Sequence, residues 1–246
     1  MGTNALQPEA TTPKLKLIAP LWHTALIAAI MLGITVAGAL FQKKAQATPG
    51  MLAQHPNVIP TYLSVIAAEM GLIWGVWAGI KDYGVTTLRD LTGGRWASAK
   101  DVLTDCGLGV IVWLLWIGIQ ASIVHLWGAN QAKSIAVLLP QSPIEIALWV
   151  LTSISAGFAE EIAFRGYFQK QFTEITGSAW AAVLLQGVLF GVAHGYQGLR
   201  AVVIVVVFGW LYGAVALWRG SLRPGIMTHA WSDIYSGYLY KFFPLG

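Results

Sequence analysis

Residues 143–168 read PIEIALWVLTSISAGFAEEIAFRGYF, an apolar helix-forming run that takes on three formal charges, Glu160, Glu161 and Arg165, within six positions. The run exceeds the roughly 20 residues an α-helix needs to cross about 30 Å of hydrocarbon. Charges at that depth are costly, roughly 2.5 to 3.5 kcal/mol each at a bilayer centre on insertion scales, so such a cluster requires partners and usually marks a task. If the stretch spans a membrane, the rest of the chain should do so too.

Composition agrees. The 246 residues are 56% hydrophobic and only 11% charged, against about 25% charged in an average soluble domain. Twelve Trp and twenty-seven Gly suit a polytopic membrane protein, since Trp collects at membrane interfaces and Gly lets helices approach closely. The net charge of +4 is spread among loops, which fits lipid headgroups as partners and offers no basic stripe for a nucleic acid. One cysteine, Cys106, excludes an internal disulfide, and no CxxC or Cys/His spacing suggests structural zinc. Cys106 reads as a small helix-packing residue.

Seven apolar spans recur, over 17–41, 59–80, 106–127, 143–168, 178–194, 199–218 and 222–243. The predicted fold class is all-α, a polytopic transmembrane helical bundle of about seven spans plus an amphipathic surface segment. A polar tail covers 1–16. The first span is longer than the 7 to 15 apolar residues of a signal peptide and is read as a retained helix. Residues 81–105 mix Leu88, Leu91, Trp96 and Val102 with Arg89, Arg95 and Lys100, and are expected to lie on the membrane surface as one or two short helices. The fourth span is expected to continue past its charges as a long helix. Lys and Arg in the loops place the N-terminus in the cytoplasm, for an integral protein of the plasma or inner membrane, and an odd span count puts the C-terminus outside.

Helical spacing sorts the charges. Glu161 and Arg165, four apart, share a face and can pair, while Glu160 is rotated by about 100° and left available as a general base or acid. Phe190 and His194 end the fifth span; His229 and Asp233, again four apart, project from one face of the seventh. Either these groups lock helices together, or a carboxylate and two imidazoles from three helices converge on one cavity. No HExxH, GxGD or rhomboid-like serine context is present. Ser153, Ser155 and Ser232 are expected to bond to backbone carbonyls, which leaves water as the nucleophile. Glu69, inside the second span, is expected to pair with a polar group on another helix, and Gly209 with Gly213 forms a GxxxG packing motif.

EExxxR at Glu160 to Arg165, FxxxH at Phe190 to His194 and HxxxD at His229 to Asp233, in that order on successive helices, resemble the CAAX prenyl protease and bacteriocin-processing family, also called the Abi family, whose eukaryotic relative is the Ras-converting endoprotease. The resemblance covers about 143–243, which makes 143–246 the catalytic core and 17–142 preceding transmembrane helices with an interfacial loop. It implies an intramembrane endopeptidase acting on a hydrophobic, prenylated or transmembrane peptide. It also implies that Glu160 activates water with His194, that His229 and Asp233 serve the oxyanion, and that Glu161, Arg165 and Phe190 organise the site. Asp233 stands where the motif often ends in Asn and is expected to orient His229. No cofactor is required on this reading; zinc is the alternative, since Glu160, His194, His229 and Asp233 are acceptable ligands. The competing function is a non-proteolytic membrane immunity or partner-binding protein with a structural polar core. A transporter is disfavoured because no internal repeat is visible.

Overall fold

Ser142, just before Pro143, accepts the Glu145 N–H while the Glu145 carboxylate takes the Ser142 N–H, a capping box with proline in the first helical turn. Ser98 and Asp101 repeat the device, as do Thr87 and Asp90. Capping chemistry therefore sets where three helices begin. The computed structural model describes residues 16–47, 56–128 and 138–237, with no strand among them. Its helices are α1 (Leu21–Ala47), α2 (Ile59–Lys81), α3 (Leu88–Leu91), α4 (Ala99–Trp127), α5 (Pro143–Glu160), α6 (Gln169–Thr176), α7 (Ala179–Ala193), α8 (Leu199–Arg219) and α9 (Arg223–Gly237). A π-helical segment, Glu161–Phe168, joins α5 to α6, and a 3-10 turn, Gly195–Gln197, joins α7 to α8.

The all-α membrane bundle is as expected. Among the described residues, five stretches are long and apolar enough to cross a bilayer, α5 through α6 counting as one of 34 residues. The predicted fifth span is the 15-residue α7, and the described part of the seventh is the 15-residue α9. At 1.5 Å per residue each covers only about 22 Å. The predicted tail to position 15, the middle of the loop at 129–137, and positions 238–243 of the last span lie outside the described residues. Large apolar side chains such as Trp74, Leu103, Leu114 and Leu126 face outward, as lipid-facing positions do.

The third span begins at Ala99, seven residues before its predicted start, because the Ser98 cap recruits a polar turn into the helix. The remaining surface segment does not lie free. Only Leu88–Leu91 is helical, Leu91 is buried, and Leu91 and Leu222 sit against Gly166 of the π segment. The next residues are tied in by the Leu222 N–H and Ser221 hydroxyl, both donating to Thr92 O. Below them Asp105, fully buried, takes hydrogen bonds from Trp96 Nε1 at 2.7 Å and Arg219 Nε at 2.8 Å, with Arg223 Nε at 3.0 Å. Cys106, by contrast, is exposed and not a packing residue.

In a membrane, close backbone approach and interhelical hydrogen bonds hold helices together. Gly209 lies against Gly187 where α7 crosses α8, and the Gln186 amide donates to Gly209 O at 2.8 Å. On the other side, Tyr167 hydroxyl meets His23 Nδ1 and Thr24 Oγ1, each at 2.9 Å, and Gln171 donates to Ala19 O and Thr24 Oγ1. These polar ties dock α1 on the π segment and α6. All eight residues of the π segment are buried, and Phe164, Phe168, Phe190, Phe208 and Tyr212 form the centre of the apolar core around it.

Helix α9 crosses α5 at Gly157, where a Cβ would stand 2.7 Å from Ala230 N. Gly157→Val should force the two helices apart and cost about 1–3 kcal/mol, the usual penalty of overpacking. The check is unfolding in detergent micelles. A wild-type stability would show that this crossing is not tight.

Candidate active site

Glu160 closes α5 and Glu161 opens the π segment, so two consecutive carboxylates leave the helix where its turns widen. In those turns an N–H reaches the carbonyl five residues back, as Gln169 does to Phe164 O; such bulges recur at functional sites. Both carboxylates reach His229 on α9. Glu161 Oε1 lies 3.0 Å from His229 Nδ1, and Glu160 Oε2 faces Nε2 of the same ring at 3.6 Å. From the end of α7, His194 Nε2 lies 3.9 Å from Glu160 Oε1. Asp233 Oδ2, one turn beyond His229, is 3.7 Å from His229 Nε2.

Proton positions follow from the partners. A backbone carbonyl only accepts, so His194 carries a hydrogen on Nδ1, donated to Phe190 O at 2.9 Å, and the ring turns Nε2 to Glu160. An ionised Glu161 likewise takes the hydrogen on His229 Nδ1. Both imidazoles therefore direct Nε2 toward the two oxygens of Glu160.

Beneath this pair, Arg165 is 2% exposed and Glu161 is fully buried. Arg165 Nη1 lies 3.2 Å from Glu161 Oε1, and the guanidinium sits over the Phe190 ring at 4.2 Å, with Phe208 and Tyr212 rings within 5.8 Å. Arg165 Nε and Nη2 have no hydrogen-bond partner among the described residues. Charge and aromatic faces, not a hydrogen-bonded fork, hold it in place. Helix α9 itself is aimed by Trp149 Nε1 donating to Asp233 O at 3.0 Å and by Thr228 Oγ1 donating to Gly109 O at 2.9 Å. A Cβ on Gly225 would stand 3.0 Å from Glu161 Oε2, so glycine lets α9 pass over the carboxylate.

The three motif pairs thus come together from α5, α7 and α9, around a buried Glu–Arg pair. Residues 142–235, which carry all of them, match the family model described as type II CAAX prenyl endopeptidase Rce1-like. Over this segment, less than half of the chain, the sequence is similar to the Rce1-like family. Searches of curated proteins and of solved structures found no match. That similarity supports, in general terms, CAAX-type protease activity within the membrane.

Geometry redistributes some of the tasks expected from sequence. Glu161 is not reserved for Arg165, because the same oxygen also takes His229 Nδ1. Asp233 does not orient that ring: it lies near the other nitrogen, beyond hydrogen-bond distance, and its side chain is 38% exposed. Phe190 supplies both the carbonyl that holds His194 and the ring under Arg165. Glu69 Oε2 is buried with no hydrogen-bond partner among the described residues, and the carboxylate is within electrostatic reach of Glu160 and Asp233 instead of a pairing group. Tyr196, in the 3-10 turn, stacks beside His194 with ring centroids 6.2 Å apart. Burial pushes its phenol above the usual value, partly offset by the hydrogen bond from Gln197, with Glu160, Asp233 and Glu69 adding to the rise. It therefore stays protonated at neutral pH. No spacing rule pointed to it. The serine hydroxyls of Ser153, Ser155 and Ser232 bond to carbonyls on their own helices.

The residues able to bind zinc by chemistry are Glu160, His194, His229 and Asp233, but among the described residues no group of three is arranged to hold a metal ion.

Arg165→Met should lower stability by about 3–5 kcal/mol, since it leaves a buried carboxylate uncompensated. Adding Glu161→Gln should recover part of that loss. Unfolding of both variants in micelles checks this; a double variant no better than the single would assign the loss to packing.

Proposed function

We propose that the chain is an intramembrane endopeptidase that hydrolyses a peptide bond close to a lipidated or membrane-embedded segment by means of a water activated by Glu160 and His194. The observation that carries this reading is the pair of separations on Glu160, 3.9 Å to His194 Nε2 and 3.6 Å to His229 Nε2. Both are too long for direct hydrogen bonds and suited to a bridging water.

A water between Glu160 and an unprotonated His194 Nε2 donates to both. As its oxygen attacks the scissile carbonyl carbon, its proton passes to Glu160. The carbonyl oxygen gains the negative charge and accepts Nε2–H from His229. With Nδ1–H given to Glu161, that donation requires the doubly protonated ring, which is favoured by the facing carboxylates of Glu161, Glu160 and Asp233. Glu160 then returns the proton to the leaving amine as the C–N bond breaks, giving a carboxylic acid and an amine. Arg165 stays paired with Glu161, and His194 keeps its orientation through Phe190 O. A prenylated or transmembrane peptide reaching this cluster enters from the bilayer, consistent with the Rce1-like family. On this reading hydrolysis is independent of metal.

Glu160→Gln and His194→Ala should each reduce cleavage of a prenylated CAAX peptide by about 10²- to 10⁴-fold, the range typical of a lost general base, with unfolding in micelles unchanged. Retained cleavage in both variants would sink the assignment, and lost folding in both would favour a structural polar core. Chelator treatment should leave the wild-type rate unchanged; loss restored by zinc would replace the metal-independent route.

A further inference from the structure

A cavity of about 480 Å³ opens on the far side of α5 and α9, lined by Arg95, Trp96, Phe158, Arg223, Ile226 and Met227. Phe158 and Met227 each stand two positions from a member of the cluster, Glu160 and His229, which turns them about 200° away around their helices. The cavity is therefore not the cleft where the peptide is proposed to be cut. It sits at the end of the bundle where α2 and α8 finish in Lys81 and Arg219 and where α4 and α9 begin.

Its charge is unbalanced. The buried Asp105 carboxylate faces two guanidinium groups, from Arg219 and Arg223, and Arg223 Nη1 is buried with no hydrogen-bond partner among the described residues. Arg95, exposed on the same rim, has no carboxylate partner among the described residues. Arg223 also lies over the Trp96 ring at 5.0 Å, which fixes its guanidinium at the cavity wall. Below the arginines the lining is apolar, and Phe158 is 42% exposed in a protein whose outer surface faces lipid.

We propose that this cavity binds an anionic phospholipid, its phosphate on Arg95 and Arg223 and one acyl chain along Phe158, Ile226 and Met227. Paired guanidinium groups match phosphate oxygens in geometry as well as charge. Trp96 suits the headgroup level. A net positive rim beside an apolar groove selects an amphiphile with an anionic head over a neutral lipid, and over a free anion that would leave the groove bare.

The test uses the full chain in nanodiscs of equimolar phosphatidylglycerol and phosphatidylcholine, with lipid retained after transfer to detergent quantified by native mass spectrometry. Wild type should enrich phosphatidylglycerol, and Arg95→Gln, which leaves the Asp105 cluster intact, should cut that enrichment about fivefold, the usual effect of one arginine at a membrane surface. Met227→Trp, which fills the groove, should lower retention of both lipids. Equal retention of the two lipids by wild type, or unchanged retention in Arg95→Gln, would overturn the proposal. So would Arg95-dependent thermal stabilisation by inorganic phosphate that survives Met227→Trp while lipid enrichment is missing, which would make this a site for the free anion. Unchanged unfolding of Arg95→Gln in detergent separates a lost site from a lost fold.

Discussion

Glu161 Oε1 is shared between Arg165 Nη1 and His229 Nδ1, and the arrangement of the C-terminal helices follows from that sharing. The oxygen is fully buried, so neither partner can be exchanged for water. It ties the π segment to α9 by a charged contact while the same guanidinium rests on aromatic rings from α7 and α8. One carboxylate thus connects four helical segments, and each must present a particular group to it: Gly225 for clearance, Phe190 and Phe208 for their faces, His229 for its Nδ1 hydrogen.

The widened turns explain how two adjacent glutamates serve one ring. On a regular α-helix neighbouring side chains diverge by about 100°; here Glu160 and Glu161 close on opposite edges of the His229 imidazole. The backbone irregularity and the side-chain chemistry are therefore one feature. Because every residue of the π segment is buried, a change of even a methyl group there is transmitted to the carboxylates.

The bundle and the cluster were legible in the sequence to different depths. Hydrophobic run length gave away the membrane class, and the spacings of Glu160–Arg165, Phe190–His194 and His229–Asp233 named the residues that meet. Spacing on one helix could not show that Glu161 reaches a different helix, so the ring-orienting role went to Asp233, the near neighbour in sequence. Asp105 escaped notice because its partners, Arg219 and Arg223, are more than a hundred positions away. Tyr196 escaped because it lies in a short turn without periodicity. The surface segment was legible as a short amphipathic helix, but not its anchoring through Leu91 and Thr92, because those contacts are made to residues distant in sequence.

The continuous helix from Pro143 to Thr176 has 34 residues, a contour of about 50 Å at 1.5 Å per residue, well beyond the roughly 30 Å of a hydrocarbon layer. Its capped start at Ser142 marks one boundary, and exposed Lys170 marks the polar end. Glu160 stands between these ends, within electrostatic reach of Glu69 half-way along α2, which sets the cluster inside the layer and away from both boundaries. At that depth lipid supplies no water, so the polar groups of the bundle itself must lead water to the cluster.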